Sequence, residues 1–145
     1  MRDFELKSAR YIAADCLKRF VQVGDRVVDA TMGNGHDTLM LCNLVGETGF
    51  VTAFDVQQKA LDSTRQLLEE NGVIDRCKLV LESHEFMDCY TEPGIQAVVF
   101  NLGWLPGSDK CIRTHWDSTQ KAVTKALKLL APMGVCVICV YPGHA

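Results

Sequence analysis

The stretch from Val27 to Thr38 constrains the fold of this 145-residue chain more than any other. Two β-branched apolar residues and an acid lead into Gly33 and Gly35, and Asp37 and Thr38 follow two residues later. Glycines give the backbone freedom to turn and leave room for a ligand against the main chain. Asp and Thr suit a first helical turn, where free N–H groups need acceptors. Strand, turn and helix in this order predict an α/β sheet with a ligand site at the carboxyl end of its first strand.

An acid before the turn narrows the choice of ligand. Asp29 lies four residues before Gly33, and Thr38 stands where a dinucleotide-binding GxGxxG motif has its third glycine. The pattern DxxxGxG resembles motif I of the class I S-adenosylmethionine (SAM) methyltransferases. A carboxylate here repels a pyrophosphate but can hold an ammonium group, directly or through water. A plain strand-to-helix turn of another α/β protein stays open as the alternative.

Composition describes a globular chain, with 48% apolar residues, 23% charged residues and a formal net charge of −3. This length suits one domain with a sizeable core. No apolar run approaches the roughly 20 residues that cross a membrane, and the first five residues do not form a signal peptide. We therefore expect a cytoplasmic protein without a membrane partner. The net charge argues neither for nor against nucleic acid.

Seven cysteines at irregular spacing suggest reduced thiols rather than a disulfide framework. Cys136 and Cys139 form a CxxC pair, but they lie in a strand pattern from Gly134 to Tyr141. Residues three apart on a strand point to opposite faces, so the pair is unsuited to one metal ion. We predict no metal site and treat both cysteines as small core residues.

Alternating strand and helix patterns predict a doubly wound, mostly parallel sheet. An inner helical face between Ser8 and Val21 includes Ile12, Leu17 and Phe20. The predicted helices span 8–21, 37–44, 57–70 and 118–130, with a loop between Gly107 and Thr119. The predicted strands lie at 27–29, 50–55, 77–82 and 95–100, and a fifth follows a turn at 132–134.

Polar residues end two of these strands. Asp55 lies 20 residues beyond Gly35, where an acid can accept hydrogen bonds from both ribose hydroxyls of an adenosine ligand, in NAD and SAM alike. Its alternative role is an N-cap of the next helix. Ser83 and His84 follow the third strand, near the adenine pocket in this architecture. His84 has the alternative of a loop or cap residue.

The residues after the fourth strand carry a second motif. Asn101-Leu102-Gly103-Trp104 resembles the N-P-P-Y motif of methyltransferases that modify nitrogen, with Leu-Gly in place of two prolines. An amide oxygen can accept the N–H of the target, and an aromatic ring can stack on a flat base. The basic and aromatic residues from Lys110 to Trp116 suit an RNA loop with splayed bases. The alternatives are a polar loop with a packed Trp and a solvated loop.

Together, D-A-T-M-G-N-G-H-D-T and N-L-G-W-L-P-G-S-D-K are similar to motifs of the bacterial "putative rRNA methylase" family. The resemblance implies a SAM-dependent enzyme that methylates the aminomethyl group of a wobble uridine in the tRNA anticodon loop. It also implies a class I methyltransferase fold, with a target-facing loop from Asn101 to Asp109. Trp104 stands where Tyr is common. The chain stops near its fifth strand, so we expect a truncated domain over 1–145 that lacks the C-terminal antiparallel strand pair.

The predicted site follows from the motifs and the resemblance. Asn101 is the orienting acceptor, and Asp109 is the nearest candidate for a general base. The residues predicted to contact SAM are Asp29, Thr31, Met32, Gly33, Asn34, Gly35, Asp37, Thr38, Asp55, Val56, Gln57, Ser83, His84 and Asn101. Those predicted to contact the substrate are Leu102, Gly103, Trp104, Lys110, Arg113 and His115.

Three rival functions stay open, as does a homodimer. The first is a SAM-dependent methyltransferase acting on rRNA or a small amine. The second is an NAD-linked enzyme, which Asp29 and the missing third glycine disfavour. The third is a non-catalytic RNA-binding module with a vestigial nucleotide pocket, which the joint presence of Asp29, Gly33, Gly35, Asp55 and Asn101 disfavours.

Overall fold

Helices and strands alternate along the chain. The computed structural model describes residues 2–102 and 109–140, with side chains for 11–102 and 116–140. The helices are α1 (Arg2–Phe20), α2 (His36–Val45), α3 (Gln58–Glu70) and α4 (Asp109–Leu129), with short 3₁₀ helices at Ile74–Arg76 and His84–Cys89. The strands are β1 (Arg26–Asp29), β2 (Phe50–Asp55), β3 (Cys77–Leu81), β4 (Ile95–Leu102) and β5 (Leu130–Val140).

The five strands form one parallel sheet in the order β3-β2-β1-β4-β5. β1 is central, with Val28 paired to Thr52 on one side and to Val98 on the other. From β1 the chain adds β2 and β3 on one side of the sheet, and it then adds β4 and β5 on the other side. The connections that follow β1 and β4 therefore leave the carboxyl edge in opposite directions. Such a switch point opens a crevice at the carboxyl ends of the strands. The predicted doubly wound α/β sheet is confirmed.

Successive residues of the central strands point into two separate cores, because side chains alternate across a strand. Val27 and Val99 face a core closed by α1, α2 and α3, where Leu17 and Leu41 are buried. The second core lies on the other face, between the sheet and the covering elements α4 and the 84–89 segment. Its buried residues include Val28, Phe54, Met87, Val98, Phe100, Ala122 and Ala126. Both faces of the central strands are therefore covered.

Two helices begin several residues earlier than predicted. α1 starts at Arg2 rather than Ser8, and α4 starts at Asp109, inside the segment predicted as a loop. Neither helix contains Gly or Pro, so no residue stops the helix from extending. The predicted inner face of α1 is also partly wrong, since Leu17 is buried whereas Ile12 and Phe20 are 66% and 48% exposed.

Two strand boundaries differ from prediction by more than one residue. β4 continues past Phe100 to Leu102, because β5 pairs with it as far as Val140. β5 begins at Leu130, before the predicted turn. The extra residues there form an irregularity in the ladder between the Ile95 and Ala97 pairings, and Met133 adopts a φ of 71°.

The described cysteines carry free thiols, and Cys136 and Cys139 are half-buried rather than fully in the core. Across the described ranges, His, Cys, Asp and Glu side chains form no group of three or more that could hold a metal ion. None of the helices in the described part of the chain combines the length and apolar character needed to cross a bilayer.

Candidate functional site

The loop between β1 and α2 lies at the carboxyl edge of the sheet and is held by backbone bonds to both neighbouring strands. The N–H of Ala30 donates to the carbonyl of Val99 at 2.8 Å, and the N–H of Met32 donates to Phe54 at 3.0 Å. The N–H of Gly35 then closes a turn onto Met32 at 2.8 Å. The loop is therefore an extension of the sheet, with its position set by β2 and β4.

Asp29 lies beneath this loop, with no exposed surface. Its Oδ1 accepts the N–H of Thr31 at 3.1 Å, and its Oδ2 accepts the hydroxyl of Thr38 at 2.6 Å. Burial, together with smaller effects of the nearby Asp37 and Asp55 carboxylates, raises the pKa of Asp29 to about 7, although the Thr38 hydrogen bond acts to lower it. Asp29 thus joins the start of the loop to the first turn of α2.

The two glycines of the loop serve different purposes. Gly35 has a φ of 91°, and a Cβ there would lie 2.9–3.0 Å from three atoms of Thr64 on α3. Gly33 has a φ of 53°, and its nearest neighbour to a Cβ would be the Thr31 carbonyl oxygen at 4.0 Å. Gly35 is therefore required by helix packing, whereas Gly33 faces open space on the side where a ligand could approach.

Thr64 is a site residue that the sequence analysis missed. Its hydroxyl donates to the carbonyl of Gly33 at 3.0 Å, and the side chain is fully buried between α3 and the loop. The signal was present, because Thr64 is a polar residue on the buried stripe of α3 that includes Leu61 and Leu68.

Asp55 closes the loop from the side of β2. Its Oδ2 accepts the N–H of Gly33 at 3.2 Å, and its Oδ1 accepts the N–H of Gln57 at 2.9 Å. The N-cap of α3 is Gln57 rather than Asp55. The alternative reading of Asp55 as a helix cap is therefore wrong, and its carboxylate is half-buried at the edge of the crevice.

Asn101 approaches the loop from β4 and is held at two points. Its backbone N–H donates to Thr31 Oγ1 at 2.7 Å, and its side-chain Nδ2 donates to Asp37 Oδ2 at 3.3 Å. These partners precede and follow the two glycines. The end of β4 and the glycine loop thus form one connected structure.

Ser83 and His84 lie at the third strand's end, as predicted. Ser83 caps the 84–89 segment by accepting the N–H of Glu85 at 3.3 Å. His84 Nδ1 lies 3.1 Å from the Ala30 carbonyl oxygen, and the ring packs edge-to-face against Phe100 at 5.5 Å. The imidazole therefore links the ends of three strands.

The remaining predicted contacts fall into three groups. Met32 and Thr38 have buried side chains, whereas Asn34, Val56 and Gln57 are exposed at the rim. Leu102 is half-buried at the end of β4. Gly103 and Trp104 lie outside the described residues, and so do the side chains of Asp109, Lys110, Arg113 and His115.

The polar groups of the crevice suit a cation better than a phosphate. Asp37, Asp55 and the buried Asp29 are close enough for the first two to raise the pKa of the third. The N–H of Gly33, which a phosphate would need, is already donated to Asp55. Clustered carboxylates favour a positively charged ligand such as a sulfonium or an ammonium ion. The site therefore suits the amino-acid end of SAM and disfavours the pyrophosphate of NAD.

A family model described as "Putative rRNA methylase" matches residues 51–145, more than half of the chain. The chain belongs to this family. The crystal structure of a "putative rRNA-methylase" from Clostridium thermocellum is 43% identical, with a TM-score of 0.86 over 94% of this chain and 73% of that one. A "putative methyltransferase" from Streptococcus mutans, solved in complex with SAH, is 36% identical, with a TM-score of 0.79 over 90% and 71% of the two chains.

Family membership and these structures confirm the class I methyltransferase fold, and they confirm SAM-dependent methyl transfer as the chemistry of the family. A curated relative, the chloroplastic tRNA (mnm(5)s(2)U34)-methyltransferase of Arabidopsis thaliana, is 36% identical over 97% of this chain. The aligned region covers 55% of that protein, so this chain spans about half the length of the relative.

Proposed function

We propose that this rRNA methylase family member uses SAM to methylate the amino nitrogen of 5-aminomethyluridine at the wobble position of tRNA. The observation that carries the proposal is the pair of contacts that Asn101 makes with Thr31 and Asp37. They set an amide, a group that can orient an attacking nitrogen, beside a loop suited to a cationic cofactor. The Arabidopsis relative named for position 34 of tRNA supports the choice of acceptor.

The proposed cofactor site uses two acids, Asp55 and Asp29, and the open face of the loop at Gly33. Asp55 is the candidate for the ribose hydroxyls, because its carboxylate lies half-buried at the end of β2. Gly33 lets the ligand approach the backbone, and Asp29 holds the loop from below. When bound, SAM supplies an electrophilic methyl group on a sulfonium ion.

The acceptor must reach the site as a neutral amine, since only the unprotonated nitrogen has a lone pair. A free alkylamine resembles lysine, with a pKa of about 10. Desolvation in the crevice would lower that pKa, or a base would take the proton. Asn101 Oδ1 would accept an N–H of the amine and aim its lone pair, and alignment of this kind supplies much of the acceleration in such transfers. Asp109 stays the proposed base.

The tRNA partner would approach over the start of α4. This segment, predicted as a loop, is helical, and it carries Lys110, Arg113 and His115 in its first two turns. Trp116 follows them with 55% of its surface exposed. Exposed aromatic rings near basic residues can stack on bases of a single-stranded loop. We place the protein in the cytoplasm as part of this proposal.

Calorimetry with SAM, followed in the same preparation by methyl transfer to tRNA carrying 5-aminomethyluridine, tests the proposal. We expect SAM to bind, NAD to give no heat, and labelled methyl to enter that tRNA but not tRNA with unmodified wobble uridine. Failure of a folded sample to bind SAM would refute the assignment of the loop. Because the family description names rRNA, ribosomal RNA is the second acceptor to test, and transfer there alone would move the substrate from tRNA to rRNA.

A further inference from the structure

The side chain of Asn101 has a defined orientation in this structure, because Asp37 contacts only one end of its amide. Asp37 Oδ2 lies 3.3 Å from Asn101 Nδ2. A carboxylate offers only acceptors, so the amide nitrogen must face it and the amide oxygen must point away. The reversed amide would place two oxygens together, which is repulsive.

Asp37 is well placed for this role. It is the second residue of α2, and an acid in a first helical turn is stabilised by the helix dipole as a carboxylate. The side chain is half-buried, which limits competition from water for the amide contact. The backbone of Asn101 is held separately by Thr31, so Asp37 is needed only for the amide's rotation.

We propose that Asp37 is a positioning residue for methyl transfer, and that its carboxylate holds the Asn101 amide with Oδ1 directed at the acceptor nitrogen. This inference rests on the proposed function, and it changes the predicted role of Asp37 from a cofactor contact to an orienting group. Without Asp37 the amide turns freely, and its NH₂ group can face the N–H of the acceptor. Two hydrogen-bond donors would then point at each other. With Asp37 in place, the site selects acceptors that donate a hydrogen bond, which amines do.

A reciprocal exchange of the two side chains tests orientation rather than mere presence. Asp37→Asn keeps the size of the side chain but can offer either its oxygen or its nitrogen to Asn101. Asn101→Asp alone puts two carboxylates at the 3.3 Å contact. The double variant restores a donor-to-acceptor pair, and the carboxylate introduced at 101 presents an oxygen to the acceptor in either rotation.

We expect each single variant to lower kcat by about tenfold to a hundredfold. SAM affinity should change by a smaller factor, because Asp37 is one of several carboxylates of the crevice. The double variant should recover at least about tenfold over the weaker single variant. In the ligand-free protein, NMR should show the side-chain amide signals of Asn101 moving on Asp37→Asn. Asp62→Asn is the matched control, because Asp62 accepts a hydrogen bond from the Gln58 amide at 2.9 Å on the exposed face of α3.

Four outcomes would overturn the inference. A fully active Asp37→Asn variant would remove the orienting role, and a double variant no better than the single ones would do the same. A loss of SAM affinity equal to the loss of kcat would return Asp37 to the cofactor contacts. If wild type neither binds SAM nor transfers methyl, the proposed function fails and takes this inference with it, whereas the amide signals still report whether the two side chains meet.

Discussion

The hydroxyl of Thr38 donates to the fully buried carboxyl group of Asp29 at 2.6 Å, joining the end of β1 to the first turn of α2. Burial raises the pKa of Asp29 from 3.8 to about 7. Between these two pH values the carboxyl group therefore keeps its proton in the folded protein and loses it in the unfolded chain. Its contribution to stability is therefore complete below pH 4 and is lost as pH rises to about 7.

We expect Asp29→Asn to remove this pH dependence. The shift corresponds to on the order of 4 kcal/mol of unfolding free energy lost between pH 4 and 7. An amide cannot ionise, so the unfolding free energy of the variant should increase relative to that of wild type as pH rises. Urea unfolding of both proteins from pH 4 to 8 measures the difference, and parallel profiles would mean that Asp29 titrates normally.

The same carboxyl group should link SAM binding to pH. A cationic ligand favours ionised Asp29, so wild-type affinity for SAM should increase by roughly three- to tenfold from pH 6 to 8. The increase should be absent in Asp29→Asn. Calorimetry in buffers of matched ionic strength measures it, and an equal increase in the variant would assign the effect to another group.

Asp55→Ala should weaken SAM binding by about tenfold to a hundredfold, because the loop loses an acceptor for Gly33 N–H and the ligand loses its ribose contact. Asp62→Ala, an exposed acid on α3, is the control and should leave affinity unchanged. Affinity that survives Asp55→Ala would limit Asp55 to a structural role.

Asn101→Ala should lower kcat on the order of a hundredfold and keep SAM affinity, because the amide is proposed to act on the acceptor. Single-turnover methyl transfer and calorimetry separate the two effects. Asn43→Ala, at an exposed position on α2, serves as the matched control. Loss of SAM binding in Asn101→Ala would move Asn101 from the acceptor to the cofactor.

The two loop glycines should differ in what an added methyl group costs. Gly33→Ala should reduce the unfolding free energy by about 1 kcal/mol, from its positive φ alone. Gly35→Ala should cost on the order of 3 kcal/mol, because strain adds to the contact with Thr64. Equal losses would mean that α3 moves away freely.

Several parts of the fold were predictable because they depend on local pattern. The strand 50–55 is found with the predicted bounds, and α3 ends at residue 70, as predicted, with Asn71 as its C-cap. Gly72 has a φ of 69°, and Val73 N–H closes onto Leu68 as a left-handed helix end requires. The start of α4 was not predictable in this way, since exposed helical residues such as Trp116 have the polar neighbours of a loop.

The sequence by itself determined the order of the elements, the parallel sheet and the positions of Asp29, Asp55 and Asn101 at strand ends. The alternation of apolar residues and the placement of glycines depend on neighbours along the chain, so both can be recognised from the sequence alone. Only the tertiary structure decided that Asn101 meets Thr31 and Asp37, 70 and 64 residues away. Such contacts depend on how β4 aligns with β1, and that register is set by the packing of both cores together.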